Sequence, residues 1–369
     1  MAGCPPVLSL RQQIEIGATL GPRIFTTGPV LEGKAALTAD LAPTSAGAAL
    51  VAAGPSQAQA FFLETGDGAA AEVEREKAES YDAVKVNTLL PATAFEAVVR
   101  TAREVGLPVY GHVPRSVGLS GALSAGMRSI EHLTGYIEAL QAADSPFRDS
   151  PFSMSNPRMA EYVDLSRLRA LAKATRAAEV WNCPTLVTPQ MGTLNETSAR
   201  QRLELAVLRY VAPARRQLWE AQIRTLNSRF TDGDRAEYAK VHDGRLKIVK
   251  ALHDAGARLL AGTDFAGYLV VPGYSLHEEL QNLVAAGLTP YEALRAATVD
   301  AAEFLNRANE FGTVEIGKRA DLLLVSANPL EDVRNSTHIE GVMVHGRWFT
   351  QSELHARLED LARSYDQRR

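Results

Sequence analysis

Cysteine is nearly absent: the chain of 369 residues has two, Cys4 and Cys183. Two thiols make no disulfide framework and no Cys-x-x-Cys metal knuckle. Cys183, inside the apolar run VWNCPTLV, reads as a small core residue rather than a nucleophile. Basic charge is not in excess either. The formal net charge is −4, with Lys and Arg spread along the chain, which leaves no electrostatic footprint for nucleic acid. The charge reads as an ordinary solvated exterior. No apolar run is long enough to span a bilayer. The opening MAGCPPVLSLRQQIE lacks a basic start followed by a hydrophobic region, so no secretion signal is visible and a cytoplasmic location is expected. One further absence bears on chemistry: no His-x-His pair occurs anywhere in the sequence.

What is present is material for a large core. Hydrophobic residues make up 46% of the chain, enough for one large α/β domain or a domain with an appendage. A charged, helix-periodic stretch repeatedly ends at a Gly and leads at once into a short apolar run. TAFEAVVRTAREVG closes at Gly106 before LPVYGHV, SGALSAG at Gly126 before MRSIEHL, and RLKIVKALHDAG at Gly256 before ARLLAGTD. Such glycines suit left-handed C-caps. The runs show little polar alternation, as parallel strands covered on both faces do, so βαβ units in a parallel sheet are predicted. Six runs read as strands: PRIFTTG at 22–28, DAVKVN, PVYGHV, RSIEHL, EVWNCPTLV and RLLAGTDF. AQAFFLE at 58–64 is a doubtful seventh, left uncounted. A closed (β/α)8 barrel needs eight. The opening PVLSLRQQIEIG reads as a helix without its preceding strand.

Residues 190–250 are polar and helix-leaning, and read as a solvated helical insertion in preference to a lid or a partner-binding arm. Beyond the last barrel strand, LHEELQNLVAAG is predicted as a helix closed by Gly287, followed by a capping box at Thr289, Pro290 and Glu292. The tail, FGTVEIGKRADLLLVSANPLEDV and EGVMVHGRWF, reads as strands joined by turns. The expected division is therefore a barrel over 1–310 and a β appendage with a terminal helix over 311–369.

Four strand candidates end in residues able to hold a metal: Lys85, His112, His132 and Asp264. In a parallel barrel the C-terminal strand ends share one face, and that face carries the chemistry. A lone His in an apolar strand is more often a hydrogen-bonded core residue. Two of them at the ends of successive strands favour ligands for a borderline metal such as zinc. Lys85 inside an apolar strand must be paired, neutral or modified. A salt bridge, for instance to Asp264, and a carbamate able to bridge two cations are both open. Asp264 in AGTDF is a helix cap on one reading. On the other it binds metal and shuttles a proton.

VKVN, VYGHV, SIEHLTG, NCPTLV and AGTDF, in this order, resemble the amidohydrolase superfamily, in particular its imidazolonepropionase-like and Xaa-Pro-dipeptidase-like branch. LHEELQNLVAAGLTPYEALRAAT is similar to the helices that follow the last barrel strand there, and GTVEIGKRADLLLVSANPLEDV to the returning β-sandwich segment. The resemblance implies a (β/α)8 barrel of TIM type with one or two divalent metals, zinc expected. It implies hydrolysis of a carbon–nitrogen bond in a small amide, dipeptide or related lactone by metal-activated water. By motif match Lys85 is the carboxylated bridge, His112 and His132 are ligands of the second metal, and Asp264 is ligand and proton shuttle. Tyr136, just after His132, is a substrate contact or a packing residue. His277 faces the substrate, supports a ligand from behind, or is simply exposed at a helix start.

The family's His-x-His belongs to a first strand that has no counterpart here, and the second strand is missing with it. The expectation is an incomplete barrel, N-terminally truncated, that keeps most of one metal site. An alternative is a catalytically impaired fragment acting by binding or assembly, its open sheet edges favouring a homo-oligomer.

Overall fold

The computed structural model describes residues 3, 5–34, 60–148, 157–265 and 267–367. Cys4 lies outside the described residues. The chain divides into two compact units, Met1–Cys183 with Asp254–Arg258, and Pro184–His253 with Leu259–Arg369.

The first unit carries the parallel sheets expected of a mixed α/β fold. Strands β1 (Val30–Gly33), β2 (Ala60–Leu63), β3 (Val84–Val86) and β4 (Val109–Gly111) form one sheet in the order β2-β1-β3-β4. Strand β5 (Ser129–Glu131) pairs in parallel with β6 (Trp181–Cys183), and β7 (Arg258–Leu259) completes that sheet. Helices return the chain between strands, Ala92–Val105 from β3 to β4 and Gly118–Ala125 from β4 to β5. On the helix Ala92–Val105, Phe95, Val98 and Ala102 are buried at helical spacing. Each large side chain so buried contributes about 2 kcal/mol. That face, with Leu31, Val84, Val86 and Ile130 of the strands, makes the core of the unit.

The glycine punctuation reads correctly. Gly106 and Gly126 both adopt the left-handed conformation at their helix C-caps, and Gly256 has φ +71°. Gly111 answers a different need. Its φ is +127°, and a Cβ there would stand 2.1 Å from the Val86 carbonyl oxygen, so the close approach of β4 to β3 requires a residue without a side chain.

Two strand expectations need correction. Residues 22–28 are extended but form no strand beyond a lone parallel bridge, Thr27 to Ala83. Polar groups take their ladder partners: the Thr26 amide donates to the Asp82 carboxylate at 2.7 Å, and the Thr26 and Thr27 hydroxyls donate to neighbouring carbonyls. The strand forms just beyond, at VLEG, where the charged Glu32 disguises a fully buried segment. The doubtful AFFL is a true strand, in register with all four residues of β1.

In the second unit, the charged stretch expected to be solvated is helical but not merely solvated. Helices Glu196–Leu203, Pro213–Arg229 and Asp232–Asp254 run through it. Trp219, Ile223 and Leu226 pack with Leu208, Val211 and Tyr268–Val271 in an apolar cluster of their own. The apolar positions are sparse, so charge dominates the composition while a narrow stripe is buried. The capping box at Thr289 and Glu292 is formed as predicted. The tail folds as an antiparallel sheet, β8 (Leu322–Val325), β9 (Ile339–Val344) and β10 (Arg347–Thr350), in the order β10-β9-β8. His345 and Gly346, both with positive φ, make the two-residue hairpin between β9 and β10. The helix Gln351–Asp366 follows, opened by a second capping box at Thr350 and Glu353.

Candidate metal centre

Three of the four strand-end residues belong to the first unit. Lys85 is the central residue of β3, 9% exposed and in register with Tyr110 of β4. His112 follows β4 directly, and its amide still donates to the Val86 carbonyl at 3.0 Å. His132 follows β5, and its amide donates to the Cys183 carbonyl at 2.8 Å. The ladder thus runs into both histidines and fixes where their side chains begin. Their rings stand perpendicular with centroids 5.0 Å apart. His132 and Leu133 have φ of 60° and 53°, a left-handed pair that turns the chain sharply at the end of β5. Such backbone costs about 1 kcal/mol per non-glycine residue and concentrates at functional sites.

The electrostatics favour neutral imidazole and a negative neighbour. Burial holds the His112 pKa well below its ordinary value, and the charges of His132 and Lys85 push the same way. Thr88, in the loop after β3, holds His112 Nδ1 at 2.8 Å. Its hydroxyl also lies 3.5 Å from Asn87 Oδ1, to which it donates. A Thr88 oxygen accepting from Nδ1–H leaves the lone pair on Nε2, the tautomer a metal needs. Glu131, the last residue of β5, is a further charged group at this end of the sheet. Burial works to raise its pKa, but Lys85, His132 and the Ser129 hydroxyl at 2.6 Å outweigh it and hold the carboxylate below its ordinary value. The signal was a carboxylate between Ile130 and His132 in an otherwise apolar run. Thr88 carried no signal, because its part depends on a contact across 24 residues.

Among the described residues no three His, Cys, Asp or Glu side chains gather into a group able to hold a metal. The donor set of this unit is two imidazoles and a lysine amine. It suits one borderline divalent cation if Lys85 binds as a neutral amine or as a carbamate.

Of the remaining candidates, Asp264 and His277 belong to the second unit and Tyr136 to the first. Asp264 belongs to the second unit, five residues beyond β7, with φ of 53° and its carbonyl accepting from the Gly267 amide at 2.8 Å. Tyr136 is fully enclosed, its hydroxyl donating to Asn182 Oδ1 at 2.7 Å and 3.0 Å from the Thr175 hydroxyl. Burial raises its pKa. His277 is half-buried on the helix Tyr274–Ala285, with Nδ1 2.8 Å from the hydroxyl of the buried Ser336, rather than exposed at a helix start.

The orienting contact is open to test. Thr88→Val keeps the shape and removes the hydroxyl, and zinc affinity is expected to fall about 10- to 100-fold in a chelator competition. Unchanged affinity would show that Thr88 does not hold the ligand.

No described helix is long and apolar enough to cross a membrane. The chain is similar to an imidazolonepropionase of Geobacillus sp. (strain WCH70), 36% identical over 107 residues, which are 27% of this chain and 24% of that protein. The match thus spans about a quarter of that curated relative. Among solved structures, a bottromycin amidohydrolase superposes with a TM-score of 0.71 at 28% identity, covering 97% of this chain and 71% of that one. A Xaa-Pro dipeptidase superposes at 0.59 with 21% identity, covering 93% of this chain and 72% of that one, a likeness of fold. The Amidohydrolase family profile matches residues 2–349, and the chain belongs to that family.

Proposed function

We propose that this protein is a metal-dependent hydrolase that cleaves a carbon–nitrogen bond of a small amide. The observation that carries the reading is the perpendicular ring pair His112 and His132 at the ends of β4 and β5 beside Lys85, with burial holding the His112 pKa well below its ordinary value. A divalent cation of zinc type, when bound, polarises the scissile carbonyl and makes water nucleophilic at neutral pH. His112 and His132 would hold it through imidazole nitrogen, Thr88 keeps His112 in the required tautomer, and a carbamylated Lys85 supplies oxygen. Glu131 keeps negative charge beside Lys85. Water adds to the carbonyl carbon, the C–N bond breaks, and one proton passes to the leaving nitrogen to give acid and amine. Asp264 is assigned that proton on its AGTDF motif alone. The frame of this reading is the family's (β/α)8 barrel over 1–310, with the strands and helix of 311–369 as its appendage.

The test is zinc loading followed by metal analysis and a hydrolysis panel of dipeptides, cyclic amides and lactones. About one tightly held metal per chain and amide cleavage lost on chelation are expected. Binding without turnover on any amide would leave the alternative, a family member that acts by binding or assembly.

A further inference from the structure

The segments that follow β3, β4 and β5 line an open pocket of about 210 Å³ in the first unit, with Thr88, Val113, Arg115, Leu119, Glu138 and Arg148 among its walls. Thr88 ties this pocket to the candidate centre, because the same side chain lines it and holds His112 Nδ1 at 2.8 Å. Arg115 is exposed, and its guanidinium makes no hydrogen bond or ion pair with any described residue. Its root is not loose: the Arg115 amide donates to the Thr88 carbonyl at 2.8 Å, so the arginine and the residue that orients His112 share one fixed piece of backbone. Arg148 donates to the Ala143 carbonyl at 3.3 Å and adds a second cation, against the single carboxylate of Glu138, which has a contact of its own.

We propose that this pocket is a carboxylate subsite, in which Arg115 holds an acidic group of a small amide whose scissile bond lies at His112 and His132. The inference rests on the hydrolytic reading for the second half of that statement only. Four features select the ligand class. The planar guanidinium fork matches a carboxylate in bidentate fashion, and its backbone anchorage near His112 limits how far the acid can lie from the scissile bond. The volume is below the roughly 300–1,000 Å³ of a pocket that swallows a whole drug-sized ligand, so it takes a substituent rather than the entire substrate. Val113 and Leu119 give the stem of that substituent an apolar wall. The helix Gly118–Ala125, which starts at the pocket without a side-chain cap, adds partial charge of the same sign.

Two measurements test it. First, N-acetylglycine and N-acetylglycinamide are compared as ligands of the metal-free protein by saturation-transfer NMR. The acid is expected to bind about 30-fold more tightly than the amide, the scale of a charge-assisted hydrogen-bond pair, and Arg115→Ala to abolish the difference. Arg115→Lys, which keeps the charge and loses the fork, should retain a part of it. Equal binding of acid and amide, or a preference that survives Arg115→Ala, overturns the subsite. Second, in the zinc-loaded protein, dipeptides with free C-terminal carboxylates are compared with their C-terminal amides. The kcat/KM preference for the acid should collapse in Arg115→Ala through KM. Arg115-dependent binding without any turnover would leave the subsite standing and remove the hydrolytic reading. Turnover with no Arg115-dependent preference would do the reverse.

Discussion

His112→Ala is expected to cost the protein its metal and its turnover while leaving it folded. The imidazole it removes is the one whose Nδ1 Thr88 already holds, so on the proposed reading the group lost is the one oriented to take a metal. A hydrogen bond to the far nitrogen of a ligating imidazole is alone worth about 10- to 100-fold in metal affinity, so loss of a ligand must exceed about 100-fold. The stability of the metal-free chain should move little. The side chain is half-buried, and the low His112 pKa means that burial opposes its charge. Removing it vacates little space, and the change should stay within about 1 kcal/mol. Metal stoichiometry, chelator competition and a urea transition on the same preparation separate these outcomes. Retention of stoichiometric zinc in the variant would show that the metal, if one binds, is held elsewhere.

Glu279→Ala acts through stability instead. The carboxylate is fully buried on the helix Tyr274–Ala285, where one oxygen accepts from the Leu186 amide at 2.9 Å and the other from the Val187 amide at 2.8 Å. Truncation leaves two buried N–H groups without acceptors, at about 1–3 kcal/mol each, so a loss of about 4 kcal/mol is expected. The intact residue also writes a pH dependence. Burial pushes its pKa from 4.5 up to about 8, against the pull of the Val187 and Leu186 amides. Between those values the folded chain keeps a proton that the unfolded chain releases. Stability therefore falls as pH climbs from 4.5 to about 8, by at most about 5 kcal/mol, and this contribution is flat outside the window. Glu279→Gln removes the titration, so the urea midpoint of the variant should lose that part of the slope. Parallel pH curves for parent and Gln variant would show that the carboxyl does not titrate as described. Glu32, pushed up to about 7 by the same cause, lies in the other unit and is common to both proteins compared.

The legible parts of this fold were those governed by neighbours in sequence. Gly106, Gly126 and the Thr289 capping box act within a turn, and all were read correctly. β1 lies beyond the apolar run PRIFTTG because two distant contacts decide its place. Asp82 takes the Thr26 amide, while Glu32 turns its Oε1 to the amides of Gly33 and Leu89. A charged residue satisfied by backbone is invisible to a hydrophobic criterion. The site divides the same way. His112 and His132 stood out because a polar residue closing an apolar run is local information, whereas Thr88 and Arg115 owe their significance to which loops meet.

The paired left-handed residues His132 and Leu133 also bear on transplantation. An engineer who copies the histidines alone onto another parallel sheet would place His132 on ordinary extended backbone and aim its ring elsewhere. The portable unit is the whole SIEHLTG segment. Within it Ser129 steadies Glu131, and the Thr134 hydroxyl accepts from the Val113 amide and donates to the Glu131 carbonyl, clamping the turn to the neighbouring loop. Saturation libraries at 132 and 133 should accordingly enrich asparagine and glycine over valine and isoleucine among folded clones, whatever happens to metal binding.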